Sequence, residues 1–295
     1  MQATANEYSL LQPYLSQKGI LEDGILTFTG YKLTPTKEAN SYYFSHPLWT
    51  REYLEYCHRD EKFRSLWQAA MGSWDNKIVV DIGCGPGNVL ATLGGSPRMI
   101  IGVDIAKGGL QVAKELGYIP VLADAHQMPF VSGFADIVTL SATLHHCDNM
   151  AQVLAEAARL VRPGGMLISD RDQQLSSLDF KGISLLLWKY RRQLRKLFKP
   201  GIQIDPEQQK WMVATEIHAE YPGDGVTPEL YYNVLEPMGF TVNVYPHNNN
   251  VGAAALTGNY GRPIFRWRAL QMLSGINPNS PAAAMSLMCV AVKNK

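Results

Sequence analysis

The stretch from Ile78 to Leu90 holds the residues best spaced to meet a ligand. Asp81 stands two positions before Gly83, and Gly83, Gly85 and Gly87 fall on alternate positions. Glycine tolerates positive φ and lets a ligand lie directly on the backbone. Ile78, Val79 and Val80 ahead of the turn are β-branched and apolar, as a strand covered on both faces requires. Asn88 is placed to cap the helix that follows. Strand, glycine turn and helix in that order make a binding site at the carboxyl end of a central strand. A second acid, Asp104, closes the next apolar run roughly 20 residues on, where an acid can hold both hydroxyls of a ribose. A dinucleotide fingerprint read from Gly83 needs its third glycine where Asn88 stands, so that pattern fails.

The rest of the chain supplies the frame for this turn. Strand-like runs at 99–104, 119–122, 137–140 and 166–169 alternate with helical patterns at 106–116 and 151–160. Such alternation predicts a parallel α/β sheet. Asp124 and Ala125 follow the third run, Ser141, His145 and His146 the fourth, and Asp170 the fifth. A further helix is predicted over 227–235, and strands over 240–245 and 287–292.

Read together, the motifs resemble a known family. "D-I-G-C-G-P-G", the acid Asp104, "D-A-H-Q-M-P-F" with "F-A-D-I-V", and "A-R-L-V-R-P-G-G-M-L" run in order over 78–170. This set is similar to class I S-adenosylmethionine-dependent methyltransferases of the methyltransferase-11 type, including sugar and natural-product enzymes. The resemblance implies an α/β fold with a doubly wound, seven-stranded, mostly parallel sheet, Rossmann-like, with the last strand antiparallel beside the fifth. It also implies an N-terminal helical extension and an inserted cap. The cofactor it implies is S-adenosylmethionine, released as S-adenosylhomocysteine. By the same resemblance Gly83, Cys84, Gly85 and Gly87 lie along the amino-acid part of the cofactor, and Asp81 accepts from its ammonium. Asp104 with Ile105 takes the ribose, Asp124 the adenine amino group and Ala125 the ring, and Ser141 completes the set.

His145 and His146 match the "L-H-H" of such enzymes, where histidines and an acid after the fifth strand serve deprotonation. The matching acid is Asp170. The alternative is that one histidine packs while the other caps the following helix. Glu216, His218 and Tyr221 form a second polar group, a candidate site for the acceptor.

Residues 1–76 read as an accessory or lid region and 77–295 as the methyltransferase domain, with a cap at about 171–226 and a long loop at about 247–285. Tyr42, Tyr43 and Trp49 either pack this region onto the sheet or close over the substrate. The stretch "EDGILTF" resembles the tail of a Trm112-like module, but the cysteines such a module usually carries are absent from it. Residues 183–199 predict a basic amphipathic helix, which packs, covers the substrate or lies on anionic lipid.

Composition narrows the partners. The chain has 295 residues, a net charge of +1 and four cysteines without paired spacing. Near-neutral charge speaks against a dedicated nucleic-acid binder. The cysteines suggest neither a zinc site nor a disulfide framework and fit a reducing cytosol. No signal peptide or membrane-spanning run is apparent. The expected function is methyl transfer to oxygen or nitrogen of a small molecule such as a specialised metabolite. The rivals are methylation of a prenylated quinone or lipid at a membrane surface, and a non-catalytic cofactor- or partner-binding protein.

Overall fold

Ile78–Ile82 is buried at every position, and its neighbours on both sides are parallel strands. The computed structural model describes residues 5–191, 205–218 and 222–295. Helix α1 is Ala5–Leu11, β1 Ile20–Glu22 and β2 Ile25–Thr27. Helices α2 (Pro35–Tyr43), α3 (Pro47–Tyr56) and α4 (Glu61–Met71) precede β3 (Ile78–Ile82) and α5 (Asn88–Leu93). Then come β4 (Met99–Asp104), α6 (Lys107–Glu115), β5 (Ile119–Leu122), β6 (Ala135–Ser141), α7 (Met150–Leu160) and β7 (Val161–Gln173). The remaining elements are α8 (Gly182–Lys189), α9 (Pro206–Thr215), α10 (Pro228–Leu235), β8 (Phe240–His247), α11 (Phe265–Leu273) and β9 (Ser286–Lys293).

The strand order is β1-β2-β5-β4-β3-β6-β7-β9-β8. Chain direction across the sheet reverses its progress between β3 and β6, so a crevice opens there at the carboxyl ends of the strands. β9 is antiparallel to both β7 and β8, the inserted last strand that the family pattern implied. Two apolar layers sandwich the sheet. One is built on residues such as Val80, Ile101 and Leu154, the other on Val79, Ile100 and Trp67.

Nine strands stand where seven were expected. The two extra are the hairpin β1–β2, whose β2 runs parallel to β5. Without it β5 would be an open edge of unpaired backbone groups, a template for unwanted pairing. Helix α2 begins at Thr34, whose side chain accepts from the Lys37 amide, and Pro35 fills the first turn where no donor is needed. α8 and α11 pack together through Phe180, Trp188 and Trp267. The predicted basic helix is described only as far as Arg191. Arg192, Arg195, Lys196 and Lys199 lie outside the described residues.

Candidate active site

A cleft opens above β3, β4 and β6. Its empty space, with the open mouth included, is about 840 Å3. Gly83, Cys84, Gly85, Asp104, Ile105, Asp124, Ala125 and Ser141 all line it. Gly85 has φ +50° and no atom within 4 Å of the place a Cβ would take, so its backbone is bare toward the cleft. Gly83 is held differently: a Cβ there would meet Thr143 at 2.5 Å. Asp104 accepts from the amides of Gly85 and Ala106, each at 2.8 Å, which fixes the carboxylate at the strand end. Burial pushes its pKa up.

Asp124 accepts from Lys37 at 2.6 Å and lies 2.7 Å from His126 Nδ1. Burial alone would raise its pKa, but His126 and Lys37 outweigh burial and hold it well below the usual carboxylate range. Lys37 comes from α2, which is pinned over the cleft at two further points. Thr34 donates to Asp148 at 2.7 Å, and Asn40 donates to the His146 carbonyl at 3.3 Å. Lys37, Asn40, Phe44, Tyr53 and His58 line the cleft from the N-terminal region. The sequence reading put none of them forward as a site residue, and gave Phe44 only as a member of the aromatic cluster with Tyr42, Tyr43 and Trp49. These cleft residues are spread over α2, α3 and the turns that follow them, with no motif of their own.

Several expectations are corrected. Asp81 does not face the cleft. It is fully buried, with its oxygens taken by Tyr118 and Thr139, each at 2.8 Å. Burial raises its pKa to about 6. Gly87 is the N-cap of α5 and packs against Tyr118 and Leu116, outside the cleft lining. Asn88 does not cap; its amide donates to the Tyr53 and Cys57 carbonyls and ties α3 to the turn. Tyr42, Tyr43 and Trp49 do not reach the cleft. Tyr43 stacks on Trp49 at 5.3 Å, and Tyr42 packs on Trp211 of α9 at 4.4 Å. Phe44, next in sequence, is the aromatic that turns inward.

Asp170 is corrected as well. It accepts from Trp67 at 2.8 Å and lies 2.7 Å from His247 Nε2, not beside the histidine pair. His247 holds its pKa below the ordinary value despite burial. The acid that meets the histidines is Asp172, whose Oδ1 is 2.8 Å from His145 Nδ1 and also accepts the His145 amide. The cause is a bulge in β7, where the register against β9 shifts between Ser169 and Asp172 and Arg171 has φ +66°. A bulge re-aims the side chains that follow it.

His145 is buried, while His146 lines the cleft. His146 Nδ1 lies 2.8 Å from the Thr215 carbonyl, which can only accept, so that nitrogen carries the proton and Nε2 keeps its lone pair. Glu216, at the end of α9, stands 3.4 Å from His145 Nε2 and 4.0 Å from His146 Nε2. Burial opposes protonation of His145, but Glu216 and Asp172 outweigh it and raise its pKa. Burial, with His145 alongside, pushes His146 down to about 4. His218 is committed elsewhere. Its ring bonds to Asp224 at 2.8 Å and to the Cys147 carbonyl at 3.1 Å, pinning the insertion to the sheet. Tyr221 lies outside the described residues.

The strand order and the glycine turn are those of a class I, Rossmann-like methyltransferase domain, a class that uses S-adenosylmethionine. Residues 80–169 match the family model described as a methyltransferase domain. The ubiquinone biosynthesis O-methyltransferase of Thiobacillus denitrificans is 31% identical over 116 residues, 37% of this chain and 50% of that protein. The demethylmenaquinone methyltransferase of Bacillus velezensis is 27% identical over 205 residues, 66% of this chain and 84% of that protein. The chain thus spans about half the length of the first of these. A solved S-adenosylmethionine-dependent methyltransferase from Mesorhizobium loti aligns with a TM-score of 0.48 at 18% identity, covering 81% of this chain and all of that one.

The residues present suit this cofactor. A bare glycine backbone borders the cleft, a fixed acid closes the second strand, and a further acid lies at the end of the third.

Proposed function

We propose that this chain methylates an oxygen or nitrogen of a small-molecule acceptor at the cleft edge formed by His145, His146 and Glu216. The observation that supports this most is the meeting of these three side chains, backed by Asp172, beside the cofactor cleft. S-adenosylmethionine, when bound, supplies an already activated methyl group. What remains for the protein is to position the acceptor, exclude water and manage its proton. Helix α2 and Phe44 cover the cleft and shed water from it. Asp172 fixes the His145 ring, and the Thr215 carbonyl fixes that of His146. The resemblance to sugar and natural-product enzymes favours a hydroxylated specialised metabolite. A screen of hydroxylated and amine acceptors with labelled cofactor tests the reading. Methylation of at least one supports it, and Glu216→Gln then lowers turnover while S-adenosylhomocysteine affinity is kept.

A second reading has its own observation. Ile183, Leu186, Leu187, Phe265, Met272 and Leu273 on the paired helices α8 and α11 are exposed. Apolar side chains beside basic ones suit a lipid surface, and the two relatives named above are a ubiquinone biosynthesis O-methyltransferase and a demethylmenaquinone methyltransferase. This favours a prenylated quinone reached at the membrane face. No helix among the described residues is long and apolar enough to cross a membrane. Sedimentation with anionic vesicles, reversed by salt, together with methylation of a demethylated prenylated quinone supports this reading. Absence of both leaves the soluble acceptor.

A further inference from the structure

We propose that His145 Nε2, His146 Nε2 and a carboxylate oxygen of Glu216 hold one divalent cation of the zinc type at the edge of the cleft. One ligand atom from each residue lies within 4.8 Å of the other two. His145 Nε2 and Glu216 Oε2 are 3.4 Å apart, and His146 Nε2 and Glu216 Oε1 are 4.0 Å apart. Both separations exceed the roughly 2.7–2.9 Å of a charge-assisted hydrogen bond. Ligand distances of about 2.0–2.2 Å in a tetrahedral zinc site put donor atoms roughly 3.3–3.6 Å from one another. The 3.4 Å separation lies in that range; the 4.0 Å one, measured to the other Glu216 oxygen, is a few tenths of an ångström wider, so the three groups are loosely spaced around a common point rather than bonded to one another.

The surroundings prepare the same atoms. The Nδ1 of His145 faces Asp172 Oδ1 and the Nδ1 of His146 faces the Thr215 carbonyl, each at 2.8 Å. A histidine that binds metal through one nitrogen almost always gives the other to a carboxylate or carbonyl, which fixes the ring and raises its basicity. Both histidines meet that condition here. Asp172 is fully buried beside His145, so a cation on the far side of that ring also offsets its charge. Two histidines and one carboxylate leave at least one coordination position, as in catalytic zinc sites.

The ligands come from two separate pieces of chain, the turn Leu144–His146 after β6 and the residue that ends α9. A bound cation therefore ties the inserted segment to the sheet. This rests on the reading above for where the acceptor sits, and it names the acceptor class as an ionisable hydroxyl. The cation takes the place of a free histidine base: the O–H bond breaks, the proton passes to water and the oxygen binds the metal.

The test uses the full, tag-free chain stripped with a chelator and titrated with Zn2+ and with Co2+. One equivalent of each is expected to bind, with visible Co2+ bands of a low-symmetry site and a raised unfolding temperature. Glu216→Gln and His146→Ala are expected to lose most of this affinity, and Asp172→Asn about 10- to 100-fold. Glu216 is partly exposed, and S-adenosylhomocysteine binding by that variant shows that it is folded. Failure to bind either ion one-to-one, or equal binding in Glu216→Gln, overturns the proposal. Cofactor binding and methyl transfer without metal uptake overturn the cation alone. Metal uptake without methylation of any acceptor overturns the functional reading alone.

Discussion

His145 Nδ1 lies 2.8 Å from Asp172 Oδ1, although Asp170 is the acid that directly follows the strand core. The bulge at Arg171 separates the two carboxylates by function. Asp170 is turned to Trp67 and His247 inside the fold, and Asp172 to the histidine pair. Asp172→Asn is therefore expected to lower turnover by about 100-fold or more with little change in cofactor affinity. Asp170→Asn is expected to cost about 1–3 kcal/mol of stability while turnover per folded molecule stays within a few-fold. Unfolding curves and turnover measured on both variants check this, and the reverse pattern contradicts the assignment.

Asp81 makes a pH-dependent contribution that acts against the fold near neutrality. Its folded pKa is about 6, raised by burial from an ordinary 3.8. The folded state keeps a proton that the unfolded chain has lost. The stability from this group is complete below about pH 4 and is lost as pH rises through about 6, at most about 3 kcal/mol. Asp81→Asn cannot ionise. Relative to the parent, the variant should gain stability between pH 4 and pH 7 by up to that amount. Denaturant unfolding of both proteins across this range measures it, and parallel curves contradict the buried, cleft-independent role of Asp81.

Lys37 and Asp124 form a largely buried pair at 2.6 Å between α2 and the third core strand. The lowered Asp124 pKa means stability that is present above the ordinary carboxylate value and lost as pH falls below it. Lys37→Met is expected to lose about 1–3 kcal/mol at pH 7, the pair bordering an open cleft. That deficit should shrink in acid. Amide exchange in α2 should quicken in the variant, and bound S-adenosylhomocysteine should slow it in the parent. Unchanged exchange in α2 contradicts its role as a cover.

The sheet and the cofactor crevice were legible because strand–helix alternation and glycine spacing are local signals. Their outcome matched down to the antiparallel last strand. What escaped depends on contacts between distant residues. Residues 23–30 read as a small strand or hairpin, but nothing local shows that a hairpin over 20–27 docks on β5 and extends the sheet to nine strands. Asp81 occupies the expected position, yet Tyr118 and Thr139 bury it. The family pattern selects Asp170 as the acid after the fifth strand, and the positive φ at Arg171 turns Asp172 to the histidines instead. Glu216 was legible as a polar candidate, but its approach to His145 and His146 follows from the way α9 packs against α2 and ends beside the histidine turn.

The central claim is that the cleft above β3 and β4 holds S-adenosylmethionine, and calorimetric titration with S-adenosylhomocysteine tests it most directly. The account predicts one site per chain and no heat from NAD. In Asp104→Ala, affinity should fall by the roughly 1–3 kcal/mol of a lost hydrogen bond at a buried partner, with the fold verified by its unfolding curve. Binding of NAD in place of S-adenosylhomocysteine, or equal affinity in the folded Asp104→Ala variant, would contradict it.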